Sequence, residues 1–210
     1  MQARTLALVA LLALAPIGCK KGFGSNFEGA ITMHIHSQVG ESDLVIETKD
    51  DKMRFEAGGR HMLYDPKTST VAMVDDESKT YTPIHFEGSG APQANTSPET
   101  AQIEKSGKHE TIAGIDCERW TAHDNGKRSE VCIAQGIAFF DLGSLKSGKG
   151  SGGLAKELRE KKLFPLRDVE YDASGKELSR MEVTKVEKKS IPDADLEVPK
   201  GYAKIALPGM

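Results

Sequence analysis

Two of the three cysteines have the spacing of a disulfide-bridged hairpin. Cys117 and Cys132 lie in GIDCERWTAHDNGKRSEVCIAQG, on either side of an Asn-Gly dipeptide that is a strong signal for a tight turn. A two-residue turn places Cys117 opposite Ala134, whereas a four-residue turn places it opposite Cys132, and only the second makes the cysteines direct neighbours, as a bridge requires. Either register puts both cysteines on one face of the ribbon, and we predict a Cys117–Cys132 bridge. Neither a CxxC pair nor an adjacent histidine cluster is present, which disfavours a redox couple or a metal pair.

The third cysteine, Cys19, follows a stretch that is typical of an export signal. Arg4 supplies the positive charge that such signals carry at their start. Residues 5–15 form an apolar run that is too short to span a bilayer comfortably, and small residues follow it. The run therefore predicts export into an oxidising compartment, where cysteine pairs usually form disulfides.

The last residues before Cys19 resemble the bacterial lipoprotein signal. Gly18–Cys19 match its final positions, whereas Pro16 stands where an aliphatic residue is usual. The resemblance implies a signal peptide over residues 1–18, lipidation of Cys19 and a tether over residues 19–26. It places the protein in the bacterial cell envelope, attached to a membrane through its lipid, facing the periplasm or exposed at the surface, with the outer membrane favoured. A soluble secreted protein and an uncleaved anchor are the alternatives.

Two histidines have a spacing that can chelate a metal ion. His34 and His36 are two positions apart on a predicted strand, so both side chains lie on one face. A third ligand would have to come from the remaining histidines, which are His61, His85, His109 and His123. The simpler interpretation is a solvated polar outer face, and we predict no bound metal and no other cofactor.

Two stretches approach catalytic motifs, and each lacks an essential residue. HETIA, at residues 109–113, begins like the HExxH zinc-protease motif, but Ala113 stands where the second histidine must be. GSLKSGKG, at residues 143–150, imitates a phosphate-binding loop, but Gly150 replaces the hydroxyl that binds Mg²⁺. No GxSxG is present. We therefore predict that the protein is not an enzyme and has no catalytic residues.

The overall composition fits one globular domain without a nucleic-acid partner. The chain has 210 residues, of which 38% are hydrophobic and 28% charged, and its formal net charge is −3. This length does not require a second domain. A protein that binds nucleic acid would usually show a basic excess, which is absent. Beyond the N-terminal run, no apolar stretch is long enough to cross a membrane.

Strand signals dominate the rest of the chain. In FEGAITMHIHS, the apolar residues at positions 27, 31, 33 and 35 alternate with polar ones, which predicts a strand with one buried face. Further short strands follow at close intervals, separated by turns such as KDDK, DPKT and DDESK. Broken alternation between Leu178 and Val186 predicts a bulge in the last hairpin. The pattern predicts a single mainly-β domain over residues 27–205, built on a curved antiparallel sheet.

The segments between the strands have other compositions. Residues 87–108 carry almost no large apolar side chains, and residues 146–153 are rich in Gly, Ser and Lys, so both are predicted to be flexible loops. LAKELREKKLF, at residues 154–164, is the best helix candidate. Its Leu154 and Leu158 stand one turn apart, and basic residues occupy its last turn.

The order of these motifs resembles a known bacterial family. The resemblance is carried by DKMRFEA, MLYDPKTSTVAMVDDESKTYTPI, ETIAGIDCERWTA, EVCIA and the closing IPDADLEVPKGY. Together they are similar to the bacterial domain of unknown function numbered 4412 over most of residues 26–205, and through it to the LolA/LolB-like lipoprotein-carrier fold. That fold implies an incomplete antiparallel barrel with one or two short helices packed on its apolar concave face. No catalytic residues carry over from the family.

The resemblance implies a binding function. We expect a non-enzymatic, lipid-anchored envelope protein that binds a hydrophobic ligand, a lipoprotein or another protein in its half-barrel. Phe139, Phe140, Leu154 and Leu158 are the candidate ligand-binding residues, with core packing as the alternative for the two phenylalanines. An envelope interaction or structural module without a cavity is one competing hypothesis, and a periplasmic metal-binding protein is the other.

Overall fold

The computed structural model describes most of the chain after residue 26. The described residues are 27–57, 60–68, 70–85, 102–124, 127–136, 154, 157–158 and 161–206. The predicted signal peptide and tether, the Phe139–Phe140 pair and the predicted loop over residues 146–153 lie outside them. Among the described residues, no helix combines the length and the apolar character that crossing a membrane requires.

Twelve strands form one open, curved sheet, as the sequence predicts. They are β1 (Gly29–Ser37), β2 (Gly40–Lys49), β3 (Lys52–Ala57), β4 (Arg60–Asp65), β5 (Thr70–Asp75), β6 (Thr80–His85), β7 (Gln102–Ile112), β8 (Ile115–Asp124), β9 (Lys127–Gln135), β10 (Leu163–Tyr171), β11 (Glu177–Lys188) and β12 (Ala203–Lys204). Their order across the sheet is β12-β6-β5-β4-β3-β2-β1-β11-β10-β9-β8-β7. Neighbouring strands are antiparallel, except that β12 runs parallel to β6.

Strand β1 shows how side-chain alternation produces the sheet. Ile31 and Met33 are almost fully buried, whereas His36, on the other face, is exposed. The β1–β11 register shifts between Thr32 and Met33, so Thr184 is the extra residue of β11. This confirms the predicted bulge, which interrupts the alternation of apolar residues along β11.

Apolar side chains of the sheet form three clusters. The largest joins buried residues of β1, β2 and β3 to both cysteines, Phe164 and Leu166. The second consists of Trp120, Val131, Ile133, Leu158 and Leu163. The third consists of Leu63, Ala72 and Val74, with Tyr81, Val198 and Tyr202 packed against it. The last cluster therefore joins the C-terminal segment to β4, β5 and β6.

The segment after β11 is fastened to the half of the sheet that contains β2. It includes one turn of 3₁₀ helix, Asp193–Leu196, and Ile191 and Leu196 are buried. Lys49 Nζ donates a hydrogen bond of 2.7 Å to Asp193 Oδ1 and one of 3.2 Å to the Ile191 carbonyl oxygen. These contacts fix the segment that leads to β12.

One predicted loop is partly a strand. Residues 102–108 belong to β7, so the loop prediction over residues 87–108 is wrong there, and residues 87–101 lie outside the described part of the chain. The composition misled the prediction because β7 is an edge strand, paired only with β8, and most of its side chains are exposed. A register shift between Lys105 and His109 further interrupts the strand.

Candidate functional site

The β8–β9 hairpin carries the predicted disulfide between Cys117 and Cys132. Its register pairs Asp124 with Lys127 and Arg119 with Cys132, which is the register of the two-residue turn. The cysteines are therefore diagonal neighbours on one face, with Cα atoms 5.4 Å apart. The expectation that a bridge requires direct opposition is wrong here, because strand twist brings diagonal positions closer together.

A row of paired side chains crosses the sheet on the opposite face of this hairpin. In order from the edge, it consists of Lys105, Trp120, Val131, Asp168, Met181 and Ile35. Directly paired residues share a face of the sheet, so these six side chains define one surface, called here the Trp120 face. It extends from β7 at one edge to β1 in the middle of the sheet.

Most methionines of the described residues belong to or pack against the largest apolar cluster, which contains both cysteines and is separate from the Trp120 cluster. In this part of the sheet, Ile31 is paired with Ile46, and the same row continues through Phe55, Met62 and Met73, from β1 to β5. The five methionines are Met33, Met53, Met62, Met73 and Met181, and Met73 is 43% exposed. Methionine is flexible and polarisable, and proteins use it where an apolar surface must adapt to varied partners.

Helical residues pack on the β7–β9 end of the Trp120 face. Leu158 is 5% exposed and belongs to the Trp120 cluster, and Leu154 packs against that cluster. Glu157 Oε1 accepts hydrogen bonds of 2.6 Å from Lys105 Nζ and from Lys161 Nζ. These two bonds hold the pKa of Glu157 below its ordinary value. The helix predicted over residues 154–164 ends earlier than expected, because β10 begins at Leu163.

An open cleft of about 310 Å³ lies beside these residues. Its apolar floor is formed by Trp120, Ile133 and Leu163. Its polar rim is formed by His109, Asp116, Glu118 and Gln135. This volume is at the lower end of the range of ligand pockets, which hold roughly 300–1,000 Å³. The arrangement suits a ligand that has both an apolar and a polar part. The predicted residues Leu154 and Leu158 pack near the cleft but do not line it.

Trp120 is the side chain that marks this cleft. It is 5% exposed, and its Nε1 donor is buried without an acceptor among the described residues. Lys105 Nζ lies 4.4 Å from the centre of its ring. A buried donor that lacks an acceptor costs about 1–3 kcal/mol, so a ligand atom that accepts this hydrogen bond would gain affinity.

A second, more highly charged cleft is also lined by Trp120 and Val131. It encloses about 150 Å³, and Lys108, Arg119 and Arg167 contribute to its lining. Arg167 donates a hydrogen bond to Glu110, and Arg119 Nε lies 3.8 Å from the same carboxylate, so these charges are partly compensated. Glu110 also lies close to the two cysteine sulfur atoms, but a disulfide lacks the thiolates that bind zinc.

Asp168 places a carboxyl group in the middle of the Trp120 face. It lies between Val131 and Met181, and its Oδ1 atom is buried with no hydrogen-bond partner among the described residues. Burial, and secondarily the nearby charge of Glu170, raises the pKa of Asp168 to about 6. The folded protein therefore holds this proton at pH values where an unfolded chain releases it.

Asp168→Asn is expected to stabilise the protein at pH 7. Because the folded pKa is the higher one, the wild type loses stability as pH rises from about 4 to about 6, and the variant lacks this loss. The gain at pH 7 is at most about 3 kcal/mol. Urea unfolding at pH 4.5 and pH 7 measures it. A stability difference between the proteins that does not change between these pH values would contradict the assignment.

Sequence reasoning missed Trp120 and Asp168 as site residues. A signal for Trp120 existed, because it is the single tryptophan and lies on the strand face opposite Cys117. Asp168 had no such signal, since in LFPLRDVEY it looks like an ordinary polar position. Phe139 and Phe140 lie outside the described residues, so their assignment stays a prediction.

A family model that spans nearly the whole β domain identifies the family of the chain. The model of a domain of unknown function, DUF4412, matches residues 27–202. The chain belongs to the DUF4412 family. This confirms the resemblance found in the sequence, and the open curved sheet is the architecture that the resemblance implied. No curated protein sequence matches the chain significantly.

Several solved structures are similar to this DUF4412 domain at low sequence identity. An uncharacterized conserved protein from Thermus thermophilus is 12% identical, with 87% of this chain and 91% of that chain covered and a TM-score of 0.54. PNGF-II is 14% identical, with 87% of this chain and 31% of that chain covered and a TM-score of 0.47. The MucA/MucB complex from Pseudomonas aeruginosa is 12% identical, with 81% of this chain and 55% of that chain covered and a TM-score of 0.47. The DUF4412 chain thus spans only part of the last two proteins, and the Thermus likeness shows the fold alone.

Proposed function

We propose that this DUF4412 protein is a non-enzymatic, lipid-anchored envelope protein that binds a single-chain amphiphile. The cleft with its apolar floor and polar rim carries the proposal. The acyl chain lies along Trp120, Ile133 and Leu163, and an oxygen of the ligand accepts the hydrogen bond of the Trp120 indole. The head group lies at the rim, beside His109 and Asp116, which are joined by a contact of 2.9 Å.

The packing of Leu158 beside the cleft supports an adaptable acyl site. Leu158 shares one apolar cluster with the three floor residues, and Glu157 ties this segment to Lys105. Displacing Leu158 would enlarge the apolar floor, so longer chains would be admitted at the cost of this packing.

Membrane attachment through Cys19 is the second part of the proposal. Cys117 and Cys132 bond to each other, which leaves Cys19 without a partner cysteine in the chain. Several acyl chains on one cysteine anchor a protein stably, whereas a single chain holds it weakly. The anchor would keep the cleft close to a source of amphiphiles.

Cys19→Ser is expected to move the protein from the membrane fraction to the soluble fraction. The change removes the only site at which lipid is attached in this proposal. Fractionation after expression in a bacterial host, with mass spectrometry of the N-terminal peptide, measures the shift. A variant that is cleaved after residue 18 and still sediments with membranes would contradict lipid anchoring, and Tyr202→Phe, which keeps all three cysteines, is the control that should remain attached.

Trp120→Phe is expected to weaken binding of 1-lauroyl lysophosphatidylethanolamine about 3- to 10-fold. The variant keeps a ring on the floor and removes the indole donor, whose hydrogen bond contributes about 0.5–1.5 kcal/mol. Calorimetric titration below the critical micelle concentration of the lipid measures the affinity. Tyr202→Phe is the control, because it also removes one polar atom, namely the hydroxyl bonded to Asp76, at a distant site.

The calorimetric titration of the wild type distinguishes a protein that binds an amphiphile from an interaction module that has no ligand cavity. One lipid bound per chain, with unchanged affinity in Tyr202→Phe, supports the amphiphile site. No heat of binding for the wild type would favour an interaction module that has no ligand. Equal affinities of wild type and Trp120→Phe would show that the indole donor does not contact the lipid.

A further inference from the structure

Two histidines on the other face of β1 are each oriented by a carboxylate. His34 and His36 alternate with Ile35, so they lie on the face opposite Ile35 and Met33, and their side chains are 42% and 52% exposed. His34 is paired with Asp43 of β2, and His36 is paired with Glu41. The Nδ1 atom of His34 lies 2.9 Å from Asp43 Oδ1, and that of His36 lies 3.1 Å from Glu41 Oε1.

We propose that His34 and His36 bind one divalent zinc or copper ion through their Nε2 atoms. When Nδ1 donates its proton to a carboxylate, the lone pair of a neutral imidazole is on Nε2. Metal-binding histidines nearly always have this arrangement, because the carboxylate fixes the ring and raises its basicity. Here the rings of His34 and His36 both have this contact between Nδ1 and a carboxylate, and both lie on one face of β1. Zinc and copper are among the ions that imidazole ligands suit.

Glu41 orients His36 from the Nδ1 side and also lies near His34, so water would supply the remaining ligands of an ion held at the two Nε2 atoms. Its Oε1 atom contacts His36, and its Oε2 atom lies 4.0 Å from Nε2 of His34. One carboxylate thus reaches towards both rings. Glu182 of β11 is paired with His34 on its other side, so His34 has an acidic residue on each neighbouring strand.

The charges around the two rings favour a cation. Asp43, Glu41, Glu182 and Glu177 contribute four carboxylates, and Arg180, paired with His36, is the basic residue among them. Arg180 is held by Glu177 through bonds of 3.0 and 2.8 Å, and its Nη1 lies 3.8 Å from Glu182. The excess of negative charge would attract a divalent ion and would offset part of the cost of desolvating it.

The other described histidine–carboxylate contacts lack a second imidazole on the same strand. His61 is 7% exposed and lies 3.1 Å from Asp76, so its ring is closed off from solvent. His109 lies 2.9 Å from Asp116 on the edge strand. His109 therefore provides a matched control: it has the same carboxylate contact and similar exposure, and it stands alone on its strand.

Metal titration of the tag-free, chelator-treated full chain tests this site. We expect one Zn²⁺ bound per chain by calorimetry and, with Cu²⁺, an electron paramagnetic resonance signal split by two imidazole nitrogens. His34→Gln and His36→Gln should each abolish the two-nitrogen signal and tight Zn²⁺ uptake. Asp43→Asn should weaken Zn²⁺ binding by roughly 10- to 100-fold, as loss of an orienting carboxylate does. His109→Gln should bind like the wild type.

Three results would overturn the metal site. They are no Zn²⁺ uptake by the wild type, equal uptake by the His34→Gln/His36→Gln double variant, and loss of uptake in His109→Gln. All of these positions are largely exposed, so the variants should fold, and an unchanged thermal midpoint in the absence of metal verifies this. The site lies on β1 and β2, whereas the cleft is lined by residues of β7 to β10, so its failure would leave the amphiphile site untouched.

Discussion

Replacing Gly29 with alanine is expected to destabilise the domain by about 3 kcal/mol or more. A Cβ atom at this position would lie 2.0 Å from the carbonyl oxygen of Glu187 and 2.9 Å from the ring of Phe27. Gly29 is paired with Lys188 of β11 and Thr48 of β2, so the clash falls where β1 joins the two halves of the sheet. The obstructing atom belongs to the backbone and cannot move aside as a side chain would.

Urea unfolding followed by the fluorescence of Trp120 measures this effect. Gly40→Ala is the matched control, because Gly40 also begins a strand but has no atom within 4 Å of an added Cβ. Its positive φ of 130° should cost about 1 kcal/mol. If both variants unfold at the same urea concentration, the clash of the added Cβ atom with Glu187 has no effect on stability. The positive φ angle alone would then explain why position 29 is a glycine.

Loss of the Cys117–Cys132 bridge is expected to lower the free energy of unfolding by about 3 kcal/mol. The bridge closes a loop with a sequence separation of 15, and the chain-entropy model gives about this figure for such a loop. Both cysteines are at most 1% exposed, so alanine is the suitable replacement and avoids burying a new hydroxyl.

The Cys117→Ala/Cys132→Ala variant should be compared with the wild type in a Cys19→Ser background. Thermal and urea unfolding with and without reductant separates the stability contributed by the covalent bridge from the stability contributed by the packing of its sulfur atoms. Reductant should destabilise the bridged protein and leave the double alanine variant unchanged. Equal unfolding midpoints for the oxidised and the reduced bridged protein would contradict a stabilising role.

Local patterns in the sequence predicted much of the fold. Ile31 and Met33 alternate with polar residues because β1 buries one face, and this period of two is visible without any partner strand. The interrupted spacing near Val183 likewise reveals the β11 bulge, since an extra residue shifts the alternation. Both features depend on residues close together in the chain.

Pairing between distant strands was not predictable in the same way. Edge strand β7 has mostly exposed side chains, so its composition resembles that of a loop. The disulfide hairpin allowed two registers, and the argument from direct opposition favoured the wrong one, because it ignored the twist that joins diagonal cysteines. A pattern along one strand does not contain the geometry between strands.

The candidate site depends almost entirely on such distant pairing. Trp120 and Asp168 meet on one face only because β9 lies between their strands and Val131 is paired with both. Leu154 and Leu158 were identified from their helical spacing, and they do pack at this site. Their role there is to cover the Trp120 cluster, while the open cleft is lined by residues of β7 to β10.

Quenching of Trp120 by a brominated fatty acid tests the central claim most directly. The protein contains a single tryptophan, so its fluorescence reports on the floor of the cleft. With 11-bromoundecanoic acid we predict saturable quenching, because bromine quenches an indole only at close contact, and unbrominated undecanoic acid should compete with it. Quenching that is absent, or that rises without saturation and without competition, would contradict an acyl site at Trp120.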